Sequence, residues 1–151
     1  MYMEFDGPYM DLALDEAAKA ESAGEVPVGA VIVFEDKVVA RGFNQPILAN
    51  DPTAHAEIVS LREAGRALGT YRLAGATMYC TLEPCMMCAG AMIHARIARL
   101  VFGTPDPRAG AAGSIYNVLT DPRLNHRVEV VTGIREDECA ALLKNFFARK
   151  R

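Results

Sequence analysis

Two cysteines three residues apart, Cys85 and Cys88, stand directly behind Pro84 in the run Thr81-Leu82-Glu83-Pro84-Cys85-Met86-Met87-Cys88. A proline after an apolar run marks a helix beginning behind a strand, and residues three apart share a helix face. Both thiols can therefore address one object. Alone, the pair fits a redox couple, half of a structural zinc site or half of a catalytic one. Upstream, at the start of another helical pattern, lies Ala54-His55-Ala56-Glu57. His55, Cys85 and Cys88 form a one-nitrogen, two-sulfur donor set suited to zinc, and three protein ligands leave a fourth position for water. A closed structural site would need a fourth Cys or His nearby. The other candidates are poorly placed: Cys80 sits within a strand pattern, Cys139 in an apolar helical stripe and His94 six residues beyond Cys88.

Hydrolysis at an open metal needs a proton carrier. Water attacking an amidine carbon must pass its proton to a ring nitrogen and then to the leaving amine, and Glu57 is the candidate. Residues two apart on a regular helix face nearly opposite sides, so His55 and Glu57 can converge only at the N-terminal end of their helix. Pro52 and Pro84 both point to helix starts near the ligands. Two helix N-termini then aim their positive ends at the thiolates and favour deprotonation. The combined pattern, His-x-Glu followed by Pro-Cys-x-x-Cys, matches the zinc deaminase signature.

The elements that must position these groups follow from hydrophobic periodicity. Residues 9–23 carry Met10, Ala13, Leu14, Ala17 and Ala18 at helical spacing, closed by Gly24. Residues 26–34 and 38–43 read as a hairpin joined by Glu35-Asp36-Lys37. Gly29 interrupts the first strand, marking either a bulge or a close approach that makes residues 27–30 a pocket wall. Residues 44–52, with two prolines and two asparagines, read as a loop. A helix over 54–67 has Asp51 or Thr53 as candidate cap. Strand 76–82, helix 84–95 and strand 97–102 form a βαβ unit with parallel strands, so the five-stranded sheet is mixed. Residues 103–113 are a glycine- and proline-rich loop long enough to suggest function. A short strand over 128–131 precedes a helix from 134 onward whose stripe of Cys139, Leu142, Leu143, Phe146 and Phe147 is assigned to the core.

A chain of 151 residues, 51% hydrophobic and 23% charged, suits a single domain over 1–151 with a sizeable core. No apolar run is long enough to span a bilayer, and the N-terminus carries early acids. A cytoplasmic location is expected. Four cysteines with one close pair suit a reducing compartment and a metal better than a disulfide framework. The net charge of −3 argues against indiscriminate nucleic-acid coating, but residues 1–25 balance at −6 and the remainder at +3, ending Arg149-Lys150-Arg151. Local contact with a polyanion stays open.

Beyond the metal motif, Val26-Pro27-Val28-Gly29-Ala30-Val31, Asn50-Asp51-Pro52-Thr53-Ala54-His55-Ala56-Glu57, Gly110-Ala111-Ala112-Gly113-Ser114, Asn125-His126-Arg127-Val128-Glu129 and Asp137-Glu138-Cys139-Ala140 resemble the bacterial tRNA-specific adenosine deaminases over almost the whole chain. The resemblance implies a three-layer α/β/α cytidine-deaminase-like fold, a homodimer, and hydrolysis of adenosine to inosine at the wobble position of a tRNA anticodon. It implies that His55, Cys85 and Cys88 bind Zn2+ and that Glu57 moves protons. It further implies that Asn44 hydrogen-bonds the flipped adenine, that Val28 lines its pocket and that Asp106 holds neighbouring nucleotides of the anticodon stem-loop. His94 and His126 are read as structural or surface residues, and Glu83 as lying at the helix start near the metal. Two alternatives stand beside this reading: a zinc-dependent deaminase of a free base or nucleoside of the guanine or cytosine type, and a non-catalytic protein in which zinc staples two helices.

Overall fold

The structure, a computed structural model, describes residues 1–150; Arg151 of the basic C-terminal triplet lies outside them. Ten elements follow in order: α1 (Asp6–Ser22), β1 (Gly29–Phe34), β2 (Lys37–Phe43), α2 (Pro46–Ala49), α3 (Ala56–Leu68), β3 (Thr77–Leu82), α4 (Met86–Ala95), β4 (Arg99–Thr104), β5 (Glu129–Thr132) and α5 (Glu136–Arg149). The five strands form one sheet in the order β2-β1-β3-β4-β5. The pairs β1/β2 and β1/β3 are antiparallel, whereas β3/β4 and β4/β5 are parallel. The mixed five-stranded sheet expected from the sequence is thus present.

Alternation along β1 assigns the two sheet faces, because successive side chains of a strand point to opposite sides. Ala30 and Ile32 join Met78, Cys80, Leu100 and Phe102 beneath Ala56 and Ala64 of α3 and Ala89 and Met92 of α4. Val31 and Val33 join Tyr79, Val101 and Val131 beneath Met10 and Ala13 of α1 and Cys139 of α5. The layers are therefore α/β/α.

Gly29 resolves in favour of close approach, and the neighbour is protein backbone. A Cβ there would lie 2.1 Å from the Ala13 carbonyl oxygen and 2.4 Å from the Ala17 nitrogen, so α1 crosses directly over it. The irregularity in β1 falls instead between Ile32 and Val33. The hairpin turn uses two residues, Glu35 and Asp36, with φ of 51° and 63°, the left-handed pair that matches strand twist. Lys37 already pairs with Phe34.

Several boundaries move. Helix α1 begins at Asp6, ahead of the apolar periodicity, because the Asp6 carboxylate accepts the Met3 N–H at 2.8 Å and buries itself against Arg99. Residues 44–52 are not wholly loop. Helix α2 forms there because the buried Glu25 carboxylate accepts the N–H groups of Ile47 (3.3 Å) and Leu48 (2.6 Å), and Asn50, at φ 49°, ends it. Gly103 and Thr104 complete β4, so the long connection spans 105–128 rather than starting at 103. Gly103 lies under α5, where a Cβ would meet the Cys139 sulfur at 2.4 Å. Phe147, assigned to the core, is 47% exposed, while Phe146 is buried. No helix among the described residues is long and apolar enough to cross a membrane.

Candidate active site

Helices α3 and α4 both begin at the site. His55 occupies the N-cap position of α3 with extended backbone angles (φ −71°, ψ 154°), and Cys85 does the same for α4 (φ −76°, ψ 176°). Pro84 precedes this cap and does not open the helix, which starts at Met86, two residues later than expected. The geometric objection to His55 and Glu57 disappears for a local reason: His55 is not yet helical. Asp51 shapes the approach rather than capping α3, since its Oδ1 accepts both the N–H and the hydroxyl of Thr53, and the Thr53 carbonyl receives the His55 N–H at 2.7 Å.

Ligand atoms of His55, Cys85 and Cys88 lie within 4.8 Å of one another, with the His55 Nδ1 at 3.6 Å from Cys85 Sγ and 3.5 Å from Cys88 Sγ. One imidazole and two thiols are donors that zinc prefers over the oxygen-seeking magnesium and calcium. The spacing admits a common centre at the ~2.0–2.3 Å bond lengths of zinc. The Cys85 thiol is held down to about 3, chiefly by the Cys88 thiol donating to it and then by His55, against the effect of burial. Cys88 is pushed up by that same hydrogen bond and by burial. The direction of that hydrogen bond favours thiolate character at Cys85 over Cys88. Burial pushes the carboxyl of Glu57, 4% exposed, up to about 7, so it can hold or release a proton near neutrality.

A cavity of about 230 Å³ lies against this cluster, lined among others by Val28, Asn44, His55, Glu57, Cys85 and Asp106. Every sequence-predicted site residue except the fully buried Cys88 borders it. The Asn44 N–H donates to the Val28 carbonyl at 3.0 Å, fixing those two walls side by side where β1 begins and β2 ends. Asp106 Oδ1 accepts the Arg108 and Ala109 N–H groups at 3.0 and 3.3 Å, so this residue shapes its turn as well as facing the cavity. A second, wider groove of about 600 Å³ borders the first across Val26, Leu82 and Asp106 and carries Arg108, Phe147 and Lys150.

His126 and its neighbours act elsewhere. Its Nε2 meets the Ile97 carbonyl at 2.8 Å, and Arg96 reaches the Asn125 side chain at 3.1 Å, pinning the long connection to the foot of β4. The sequence placed Glu83 only near the metal. Its carboxylate proves to be buried and to take several hydrogen bonds from the 106–114 loop. The one sequence signal for this was Gly110, where a Cβ would lie 2.3 Å from that carboxyl carbon.

A three-layer α/β/α sheet presenting a His-Cys-Cys set at two helix N-termini, with a buried glutamate alongside, defines the zinc-dependent deaminase class. Residues 3–104 match the cytidine and deoxycytidylate deaminase zinc-binding region. The chain is 48% identical to the tRNA-specific adenosine deaminase of Haemophilus influenzae, over 98% of this chain and 86% of that one. It is 48% identical to the enzyme of that description from Bacillus subtilis, over 99% and 92%. A solved structure from a study of A-to-I editing by tRNA:A34 deaminases at the wobble position of transfer RNA superposes with a TM-score of 0.87, at 47% identity, over 90% of this chain and 99% of that one. The chain belongs to the zinc-binding cytidine and deoxycytidylate deaminase family and, within it, to the tRNA-specific adenosine deaminases. Zinc is its cofactor.

Proposed function

We propose that this enzyme converts adenosine to inosine at the wobble position of a tRNA anticodon, acting in the cytoplasm as a homodimer. The observation that carries the reading is the pairing of two cavities: a base-sized pocket at the donor set, bordered by a groove with an exposed aromatic ring, Phe147, and two cations, Arg108 and Lys150. Aromatic faces and cations together suit a single-stranded polynucleotide from which one base is extruded. A free base needs only the first cavity, so the free-base alternative leaves the second unused.

In this reading His55, Cys85 and Cys88 would hold the zinc, which would supply a Lewis acid able to make water nucleophilic near neutral pH. Glu57 accepts the proton of that water and delivers it to the purine N1. A C6–O bond forms, the C6–N6 bond breaks, and ammonia leaves with a proton returned through Glu57. Adenosine and water become inosine and ammonia. Asn44 hydrogen-bonds the base against Val28, and Asp106 holds the nucleotides beside it.

A second copy of the chain is supported by α4, which carries no Asp, Glu, Lys or Arg yet leaves Met86 and Met87 53% and 37% exposed. Four free cysteines suit a reducing compartment. The deciding experiment is an inosine assay on short RNA hairpins and on free bases and nucleosides, with zinc measured on the same sample. Inosine in an adenosine-bearing anticodon hairpin is expected. Turnover of a free base with unmodified hairpins would overturn the reading.

A further inference from the structure

Glu83 lies between β3 and α4, two residues ahead of the ligand Cys85, and is 2% exposed. Its carboxylate borders the base cavity, yet both oxygens are engaged by the loop on the far side. Oε1 accepts the Asp106 N–H at 2.9 Å and the Ser114 hydroxyl, while Oε2 accepts the N–H groups of Ala112 at 2.9 Å and Ser114 at 3.1 Å. An ionised carboxylate offers about four acceptor positions, so the group is saturated and is no second proton carrier. Main-chain bonds flank it: the Glu83 N–H donates to the Thr104 carbonyl at 2.9 Å and the Ala111 N–H to the Pro84 carbonyl at 2.8 Å. Gly110 packs so closely against the carboxylate that a Cβ would lie 2.4 and 2.5 Å from its two oxygens.

The clamped segment, residues 106–114, has neither helix nor extended strand to order it. Its own turns, the bridge between Ala112 and Asn117 and the Ala111 to Pro84 bond hold part of it, and Glu83 is the one side chain that gathers the N–H groups of Asp106, Ala112 and Ser114 together. We propose that Glu83 is a positioning residue: its carboxylate clamps the 106–114 loop to the start of the metal-binding helix and thereby sets where Asp106 meets the polynucleotide. The inference rests on the tRNA reading and assigns the element that fixes the distance between its recognition loop and its metal. Glutamine cannot replace the group. It offers one oxygen, and its amide donors would face N–H groups.

The test compares wild type, Glu83→Gln, Ser114→Ala and Gly110→Ala for zinc content, for amide hydrogen exchange over residues 106–114, and for KM and kcat on an adenosine hairpin. Glu83→Gln is expected to keep stoichiometric zinc, to exchange the Asp106, Ala112 and Ser114 amides faster, and to raise KM for the hairpin by about tenfold or more with a smaller change in kcat. Ser114→Ala should move the same readouts less. Unchanged exchange and KM would overturn the proposal, as would loss of zinc with KM intact, which would make Glu83 a support of the metal alone. If Glu83→Gln fails to fold, Ser114→Ala and Gly110→Ala decide, since both leave the metal-binding helix untouched. Wild-type protein that leaves every hairpin unmodified sinks the tRNA reading, while the exchange measurement still decides whether the clamp exists.

Discussion

His55 and Cys85 each sit where a helix has not yet started, and this single backbone fact lets three ligands and a carboxylate meet. The donor set was legible in the sequence because its chemistry lies in short spacings, His-x-Glu and Cys-x-x-Cys. The role of Glu83 was not, because its partners stand 23 to 31 residues away and no local periodicity reports a loop folding back. The two kinds of site residue should separate on mutation. Glu57→Gln is expected to retain stoichiometric zinc and to lose about 10²- to 10⁴-fold in kcat, the usual contribution of a positioned general acid–base. Cys88→Ala should lose the metal and with it the activity. Metal analysis beside single-turnover kinetics checks both, and a Glu57→Gln enzyme of full activity would remove the proton-carrier role.

At the scale of elements, the hairpin, the βαβ unit and the C-terminal helix were legible because each buries a face at the period of its own structure. The features that escaped are those set by distant groups: α2 depends on Glu25, the early start of α1 on Arg99, and the exposure of Phe147 on how α5 lies along β4. Gly29 left a bulge and a close approach equally open in the sequence, and neither the choice between them nor the approaching α1 backbone was readable there. Gly42 in β2 shows what such contacts do for the site. A Cβ there would lie 2.7 Å from the Ala56 carbonyl oxygen and 2.9 Å from the Ser60 nitrogen, both in the first turns of the helix behind His55 and carrying Glu57. Gly42→Ala must therefore push α3 off the sheet at the end where the ligand stands. The expected cost is about 1–3 kcal/mol, typical of overpacking a tight contact, seen as a lower Tm. Zinc should also dissociate faster in a chelator competition. A variant with lowered Tm but unaltered zinc release would show that the helix start absorbs the shift without moving His55.

For the molecule as a whole, most of the acids in residues 1–25 turn out to be matched internally. Asp11 pairs with Arg135, Glu16 with Lys19 and Glu21 with Arg149, and Glu25 holds α2. The most buried pair is Asp6 with Arg99: the carboxylate, fully buried, accepts both terminal guanidinium nitrogens at 2.7 Å and the Tyr79 hydroxyl at 2.7 Å. This cluster joins α1 to β3 and β4 across one sheet face. Burial works against the charged form of Asp6, but hydrogen bonds from Arg99 and Tyr79 outweigh it and hold the carboxyl below its ordinary value of 3.8. A carboxyl with a depressed folded-state pKa stabilises the fold above its unfolded value. That contribution is lost as pH falls from 3.8 through the lower folded value. Asp6→Asn keeps the shape, removes the charge and leaves the Arg99 guanidinium only the Met1 carbonyl and the longer 3.5 Å contact to the half-exposed Glu129, a change expected at the low end of the about 3–5 kcal/mol that breaking a buried pair costs. Urea unfolding at pH 7 should therefore show a wide gap between wild type and Asp6→Asn. The gap should narrow below pH 3.8 as wild-type Asp6 takes up a proton and comes to resemble the amide. Zinc release in acid affects both proteins alike, so the difference between them isolates Asp6. A gap that stays constant from pH 7 into acid would mean that Asp6 serves the fold by shape and hydrogen bonding rather than by charge.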